Sequence, residues 1–285
     1  MNRILYIVIL LLFTGCKPTP KAPNESEIST IMVSIEPLRF LVEAIVGDTY
    51  KVVSLVPMGS SPETYEPTPN QMIDLEKSDF FFYVGNLGFE RAWLERLKQM
   101  APNVHFKETS IGIEQMGEHI HNEEHHHDPH VWTAPRNMQR MARNIYQALC
   151  VADSSCVDVY TKNLANLLDR INVVNDSIRA LTGDMVQKSF LIYHPTLTYF
   201  AHDYGFNQIV VEHEGKEPSP HQLIELIKLC RKENVKSIFI QQEFIQRSCQ
   251  LIAQEIGGKV FFINPLSYDW EQEMIRVAHI LRENE

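Results

Sequence analysis

The chain has 285 residues, 44% of them apolar and 22% charged, with a net charge of −10 when histidine is neutral. Those values describe a globular protein of one large or two medium domains, each able to bury a normal core, rather than a repeat array or fibrous chain. The acidic balance disfavours nucleic acid and anionic lipid as partners and is compatible with a cationic ligand.

The chain begins Met-Asn-Arg, continues with an apolar run from Ile4 to Phe13 and ends that stretch with Thr14-Gly15-Cys16. One positive charge, an apolar run and small residues before a cysteine describe a secretory signal over residues 1–15. The run is shorter than the ~20 residues a spanning helix needs. Its end resembles the lipobox of bacterial lipoproteins, with Phe13 in place of the usual leucine. The expected outcome is cleavage before Cys16 and a lipid on that cysteine. An ordinary signal or short anchor helix is the alternative. Residues 16–27 carry three prolines among polar neighbours. They cannot form a core and read as a tether.

The body from residue 28 alternates short apolar runs with amphipathic stretches. Ile31–Ser34, Val52–Val56, Phe80–Val84 and Val104–Phe106 read as strands. Leu38–Ile45, Gln71–Lys77 and Glu90–Met100 read as helices. This alternation predicts βαβ units and a mainly parallel sheet in a first lobe, residues 28–155.

A histidine-dense, acidic segment runs from Gly117 to Asp128 and has no apolar period. Imidazole is a ligand for zinc, copper and nickel, and a loop of many weak ligands raises local metal concentration without building one rigid site. His121-Asn-Glu-Glu124-His125 formally matches H-x-x-E-H, but that chemistry needs a packed helix and these neighbours are wholly polar. No H-E-x-x-H, G-x-S-x-G, P-loop or G-x-G-x-x-G is present. Asp128-Pro129-His130-Val131-Trp132 differs, because apolar residues follow His130 directly and place it where the chain re-enters the fold.

Cys150 and Cys156 flank the polar turn Val-Ala-Asp-Ser-Ser and are expected to pair in an oxidising compartment. From Tyr160 to Leu181, apolar residues recur at steps of three and four and predict one stiff helix, with residues 156–184 as the link. Phe190–Tyr193, Gln208–Val211, Ser237–Ile240 and Lys259–Ile263 then read as strands of a second lobe, residues 185–285. Ser219-Pro220 is a helix start, and Gly257-Gly258 ends a helix. No Gly- or Ser-rich hinge separates the halves, so small relative motion is expected. Cys230 and Cys249 fall on consecutive helices.

In open α/β sheets, ligands bind beyond the carboxyl ends of the strands. That edge selects Glu63 and Glu66 after the second strand and His194 in Tyr193-His194-Pro195. It also selects Glu212 and His213, then Gln241, Gln242 and Glu243, and finally Asn264. Two lobes facing each other there would form a cleft lined by carboxylates and imidazoles.

Residues 28–285 resemble the zinc/manganese-type solute-binding receptors of ABC transporters. The resemblance rests on Ser34-Ile-Glu-Pro-Leu38, Gly47-Asp48, Val56-Pro-Met-Gly-Ser-Ser-Pro62 and Tyr65-Glu-Pro67. It continues through Asp128-Pro-His-Val-Trp132, Tyr193-His-Pro195 and Glu214-Gly-Lys-Glu-Pro-Ser-Pro220. The histidine-rich loop is similar to that of the zinc-specific branch. The resemblance implies two α/β lobes joined by a long rigid helix, with a metal between them. It implies His130 and His194 as ligands. Manganese-type members usually carry glutamate at the latter position, so a nitrogen donor there favours zinc.

Two departures stand out. Glu63 occupies the place of the usual first-lobe histidine, and Asn264 that of the usual aspartate. The expected donors are Glu63, His130 and His194, completed by water or another oxygen, with His213 as substitute. The implied function is a monomeric, lipid-anchored receptor in the periplasm or at the cell surface. It is not an enzyme; it captures Zn²⁺ and delivers it to an ABC permease and its ATPase subunit. Manganese or another divalent ion is the alternative cargo. A zinc-dependent hydrolase is the remote alternative, because a three-donor site with a carboxylate is also catalytic in type.

Overall fold

A computed structural model describes residues 29–117, 127–212, 215–241 and 247–285. The leader, Cys16, the tether, histidine-segment residues 118–126, His213, Gln242 and Glu243 lie outside the described residues.

The first lobe runs β1 (Thr30–Val33), α1 (Glu36–Val46), β2 (Lys51–Ser54), α2 (Pro69–Glu76), β3 (Phe80–Tyr83), α3 (Gly88–Met100) and β4 (His105–Glu108). Its four parallel strands lie in the order β2-β1-β3-β4. α4 (Pro135–Ala152) follows, and α5 (Val157–Thr182) leads into the second lobe. There β5 (Ser189–Ile192), α6 (Thr198–Tyr204), β6 (Asn207–Val210), α7 (Pro220–Lys232), β7 (Ser237–Gln241), α8 (Arg247–Ile256) and β8 (Lys259–Ile263) repeat the plan. The second sheet is again parallel and four-stranded, in the order β6-β5-β7-β8. α9 (Trp270–Glu283) then returns to pack against α5. The fold is the expected α/β architecture.

The central strands explain themselves. A parallel sheet is covered on both faces, so its inner strands read as unbroken apolar runs. Phe80-Phe81-Phe82-Tyr83 in β3 is buried throughout, as is all of β5. Edge strand β4 instead alternates exposed and half-buried residues. Helix starts carry local signals: Thr68 and Ser219 each form a capping box with the glutamine three residues on, and each is followed by proline. That arrangement satisfies orphan N–H groups and presets the first helical φ. Gly257, at φ 68°, ends α8 in the left-handed region that favours glycine.

The linking helix α5 has 26 residues and so spans ~39 Å. Tyr160, Leu164, Leu167, Ile171, Val174 and Ile178 form its buried row, as their spacing predicted. Around it the core takes a form that composition did not suggest. One apolar cluster runs from the first sheet through α1, α4, α5 and α9 to Phe190, Ile192, Phe239 and Ile263 of the second sheet. A smaller cluster, with Leu191, Ile209, Cys230, Ile238 and Cys249, lies elsewhere in the second lobe, against α7 and α8. The lobes therefore share a close-packed interior, which resists relative movement.

α4, α6 and α9 were not anticipated. α4 buries Met138, Met141, Ala142, Ile145 and Leu149 at helical spacing after Pro135, and α9 buries Trp270, Met274, Val277, Ala278 and Leu281. Both patterns were visible in the sequence, whereas α6, with seven residues, is too short to show a period. Cys150 and Cys156, expected to bridge, are half-buried thiols on either side of the turn after α4. Cys230 and Cys249 are buried thiols on α7 and α8.

Candidate metal centre

His194 stands just past the carboxyl end of β5. Its place follows from strand pairing: the Tyr193 N–H donates to Phe239 O at 3.0 Å, and the Glu212 N–H donates to Tyr193 O at 3.2 Å. The buried Gln241 amide donates to His194 O and to Thr196 Oγ1, both at 2.8 Å. His194 Nδ1 lies 2.7 Å from Glu212 Oε1.

His130 enters from the first lobe and is 4% exposed. Asp128 Oδ1 accepts its main-chain N–H at 2.8 Å and lies 2.8 Å from its Nδ1. The Thr133 hydroxyl donates to His130 O at 2.9 Å, tightening the 3-10 turn that leads into α4. Asp128 is itself held from the second lobe. The Tyr199 hydroxyl on α6 donates to Asp128 O at 2.9 Å and accepts the Met116 N–H at 3.1 Å.

Glu63 comes from the irregular connection between β2 and α2, where its N–H donates to Ser61 Oγ at 3.3 Å. Its Oε1 is buried without a hydrogen-bond partner, and its Oε2 lies 4.0 Å from the Arg91 guanidinium.

These three side chains converge. One ligand atom from each of Glu63, His130 and His194 lies within 4.8 Å of the others, the one such donor cluster among the described residues. The imidazoles meet edge to face, with centroids 5.1 Å apart. Ser61, Pro62, Trp132, Thr196, Pro265 and Leu266 complete the wall around about 10 Å³, room for a single small ion. A larger cavity of about 240 Å³ lies between α1, α5 and the start of α9. Two of its three carboxylates are engaged by other residues of its own wall, Glu43 by the Tyr268 hydroxyl and Glu271 by Arg170.

The carboxylate behind each imidazole orders the chemistry. With Nδ1–H given to Asp128 or Glu212, Nε2 carries the lone pair, which is the arrangement in which histidine binds divalent metals. Burial works against the Asp128 carboxylate, but the charge and hydrogen bonds of His130 outweigh it and hold Asp128 below the usual carboxylate range. Burial likewise disfavours a charged His130, yet Asp128, helped by Glu63 and Glu212, raises its affinity for a proton above that of ordinary imidazole. The carboxylates gathered around the two imidazoles favour positive charge at this site, which suits a cation.

The centre is also braced across the lobes. The Trp132 indole N–H donates to Pro265 O, and the Trp270 indole N–H donates to Trp132 O, both at 2.8 Å. Both indoles are 0% exposed. Arg136 on α4 pairs with Asp203 on α6 at 3.1 Å.

Other edge candidates have different roles. Glu212 stands behind His194 as its hydrogen-bond partner. Glu66 is exposed and outside the donor cluster. Asn264 is exposed and turned into its own loop, its Oδ1 accepting the Leu266 N–H at 3.2 Å. It borders a neighbouring small cavity with Glu36 and Met58 rather than the metal centre. The orienting role of Asp128 was missed, although its position two residues before His130 was visible. The brace formed by Trp132 and Trp270 had no local signal.

Two α/β lobes held rigid on one helix, with an ion-sized nitrogen and oxygen donor set between them, define a cleft-type receptor for a metal ion. The chain belongs to the family described as ZnuA, zinc-uptake complex component A, periplasmic, whose model matches residues 31–281. A solved structure described as the crystal structure of ZnuA superposes with a TM-score of 0.85 and 34% identity, over 90% of this chain and 99% of that one. The high-affinity zinc uptake system protein ZnuA of Bacillus subtilis is 27% identical, over 83% of this chain and 78% of its own length. The zinc-binding lipoprotein AdcA of Streptococcus pneumoniae is 25% identical over 96% of this chain, which spans 56% of that longer protein. The protein is thus an extracytoplasmic solute-binding receptor for zinc import, the partner of a permease and its ATPase subunit, and not an enzyme. These matches favour zinc over the manganese and hydrolase alternatives.

Proposed function

We propose that Glu63, His130 and His194 are the protein donors to the transported Zn²⁺, with water in the fourth position. The observation that carries this is the convergence of two carboxylate-backed imidazoles on a buried carboxylate oxygen that has no hydrogen-bond partner. Two neutral nitrogens and one carboxylate form a zinc-type donor set. Asp128 and Glu212 orient the rings and balance the charge of the ion. The shared core and indole brace support a site formed before the ion arrives.

Calorimetry on metal-stripped protein is expected to show one tight Zn²⁺ site, with weaker binding from the histidine-rich segment. Retention of tight binding after changing both His130 and His194 to alanine would refute the assignment.

The remaining organisation is inferred from the chain's start and its division. Residues 1–15 are removed, Cys16 carries the lipid, and residues 16–27 hold a monomeric body off the membrane. The lobes at 28–155 and 185–285 face the ion from either side of the link at 156–184, without a wide closing motion. The Gly117–Asp128 segment gathers metal near the cleft. Intact mass of the mature protein tests the anchor: an unmodified Cys16 or a retained Met1 excludes it.

A further inference from the structure

Glu63 is delivered by an irregular connection, so something outside that connection must hold it in place. The internal bonds of the segment, Ser60 N–H to Pro57 O at 3.1 Å and Thr64 N–H to Ser61 O at 3.4 Å, shape it without fixing it to the lobe. The fixing contact beside Glu63 comes from the first turn of α3, where the Phe89 N–H donates to Pro62 O at 3.0 Å. The Tyr65 ring also meets the Phe89 ring edge to face at 6.3 Å.

That close approach depends on Gly88. A Cβ on Gly88 would lie 2.1 Å from Glu63 O and 2.8 Å from both its carbonyl carbon and its Cα. The neighbours are backbone rather than a flexible side-chain end, so they cannot swing aside. Relief to ordinary van der Waals distance needs a shift of about 1 Å or more.

The helix cannot be the part that moves. Glu90 is buried, and its carboxylate accepts the N–H groups of Val84 at 2.9 Å, Gly85 at 2.7 Å and Leu87 at 3.3 Å. Phe89 is buried in the main core. Displacement therefore falls on the half-buried Glu63 segment, whereas a metal donor must be held within about 0.5 Å.

We propose that Gly88 is a positioning residue of the metal centre: its missing side chain is the notch in which the Glu63 main chain sits, fixing the carboxylate relative to His130 and His194. This rests on the reading of Glu63 as a zinc donor.

The test uses the full mature chain and Zn²⁺ competed against a chelator. Gly88→Ala is expected to weaken zinc binding at least tenfold, and to change the absorption spectrum of bound Co²⁺, which reports donor geometry. In a Glu63→Ala background, Gly88→Ala is expected to weaken binding by less than a further twofold, because no carboxylate remains to be misplaced. Equal weakening with and without Glu63, or affinity within twofold of the parent, overturns the proposal. If Glu63→Ala leaves zinc affinity unchanged, the donor assignment fails and this inference falls with it. A loss in Glu63→Ala but not in Gly88→Ala overturns this inference alone. The parent protein supplies a measurement that does not depend on a variant folding. The Phe89 amide is expected to resist hydrogen exchange in metal-free and zinc-bound states alike. Fast exchange in the metal-free state would show that the seat is not built in, and would overturn the proposal.

Discussion

The two lobes share a sheet order but deliver their donors differently. In the second lobe, His194 sits two residues beyond β5, and strand register places it almost unaided. In the first lobe, both Glu63 and His130 come from irregular connections well beyond a strand. Each leans on a distant element: Glu63 on the first turn of α3, His130 on Tyr199 of the opposite lobe through Asp128. A donor at a strand end inherits the rigidity of the sheet, whereas a donor on a loop needs a prop. The price of loop delivery is dependence on residues that never touch the ion.

The largest expected effect tests whether the lobes are separate at all. Trp270 fills the shared core and donates to Trp132 across the lobes. Trp270→Ala is expected to destabilise the whole chain by about 3–5 kcal/mol, as for other buried tryptophans. Urea unfolding of the parent should show one transition by tryptophan fluorescence and by circular dichroism. Two resolved transitions, with the second lobe surviving the first, would contradict a continuous core.

Next come the imidazoles. His130→Ala and His194→Ala are each expected to lower zinc affinity by more than about 100-fold, beyond the range typical of residues behind a metal ligand. A chelator competition assay reads this directly. A weak effect at His194 with a strong one at His130 would mean that the second lobe only covers the ion.

The carboxylates behind them sharpen the contrast. Asp128→Asn and Glu212→Gln should each cost about 10–100-fold in zinc affinity. Full truncation should separate them, with Asp128→Ala costing more than Glu212→Ala, because Asp128 also accepts the His130 main-chain N–H, a bond asparagine can keep, while β5 already fixes the His194 backbone. The reverse order would show that strand delivery confers no advantage.

The smallest effect concerns the thiols. Burial pushes Cys230 up to about 11 and Cys249 up to about 12. A thiol that holds its proton more tightly when folded contributes stability below the ordinary thiol value and loses it as pH rises through the folded one. Neither cysteine should react with iodoacetamide at pH 8 until the chain unfolds. Alkaline pH should then loosen the second lobe's smaller core first. Mass spectrometry after labelling also tests the expected Cys150–Cys156 bridge. Bridged cysteines acquire label only after reduction, whereas half-buried thiols acquire it at once.

Much of this molecule was legible in one dimension. Every described strand lies within a residue or two of its predicted run, most plainly in β3, β5 and β7, where burial on both faces of a parallel sheet leaves an unbroken apolar signature. The long helix was legible because its buried row recurs from Tyr160 to Ile178 within a helix of 26 residues. His130 and His194 stood out because each sits where a polar residue abruptly meets an apolar run. Glu63 could be named as a candidate from the strand-edge rule alone, though that rule did not separate it from Glu66.

Sequence by itself therefore determined the strands, the long linking helix, the α/β class and the residue types available to hold a cation. Tertiary structure alone decided which of them meet. It set Glu212 behind His194 across 18 residues of chain, brought α9 back onto α5 to merge two cores, and laid Gly88 against Glu63. The physical reason is one of range. Periodicity and capping act over a few residues and leave a local pattern, whereas proximity across a βαβ crossover depends on how the packed layers come to rest.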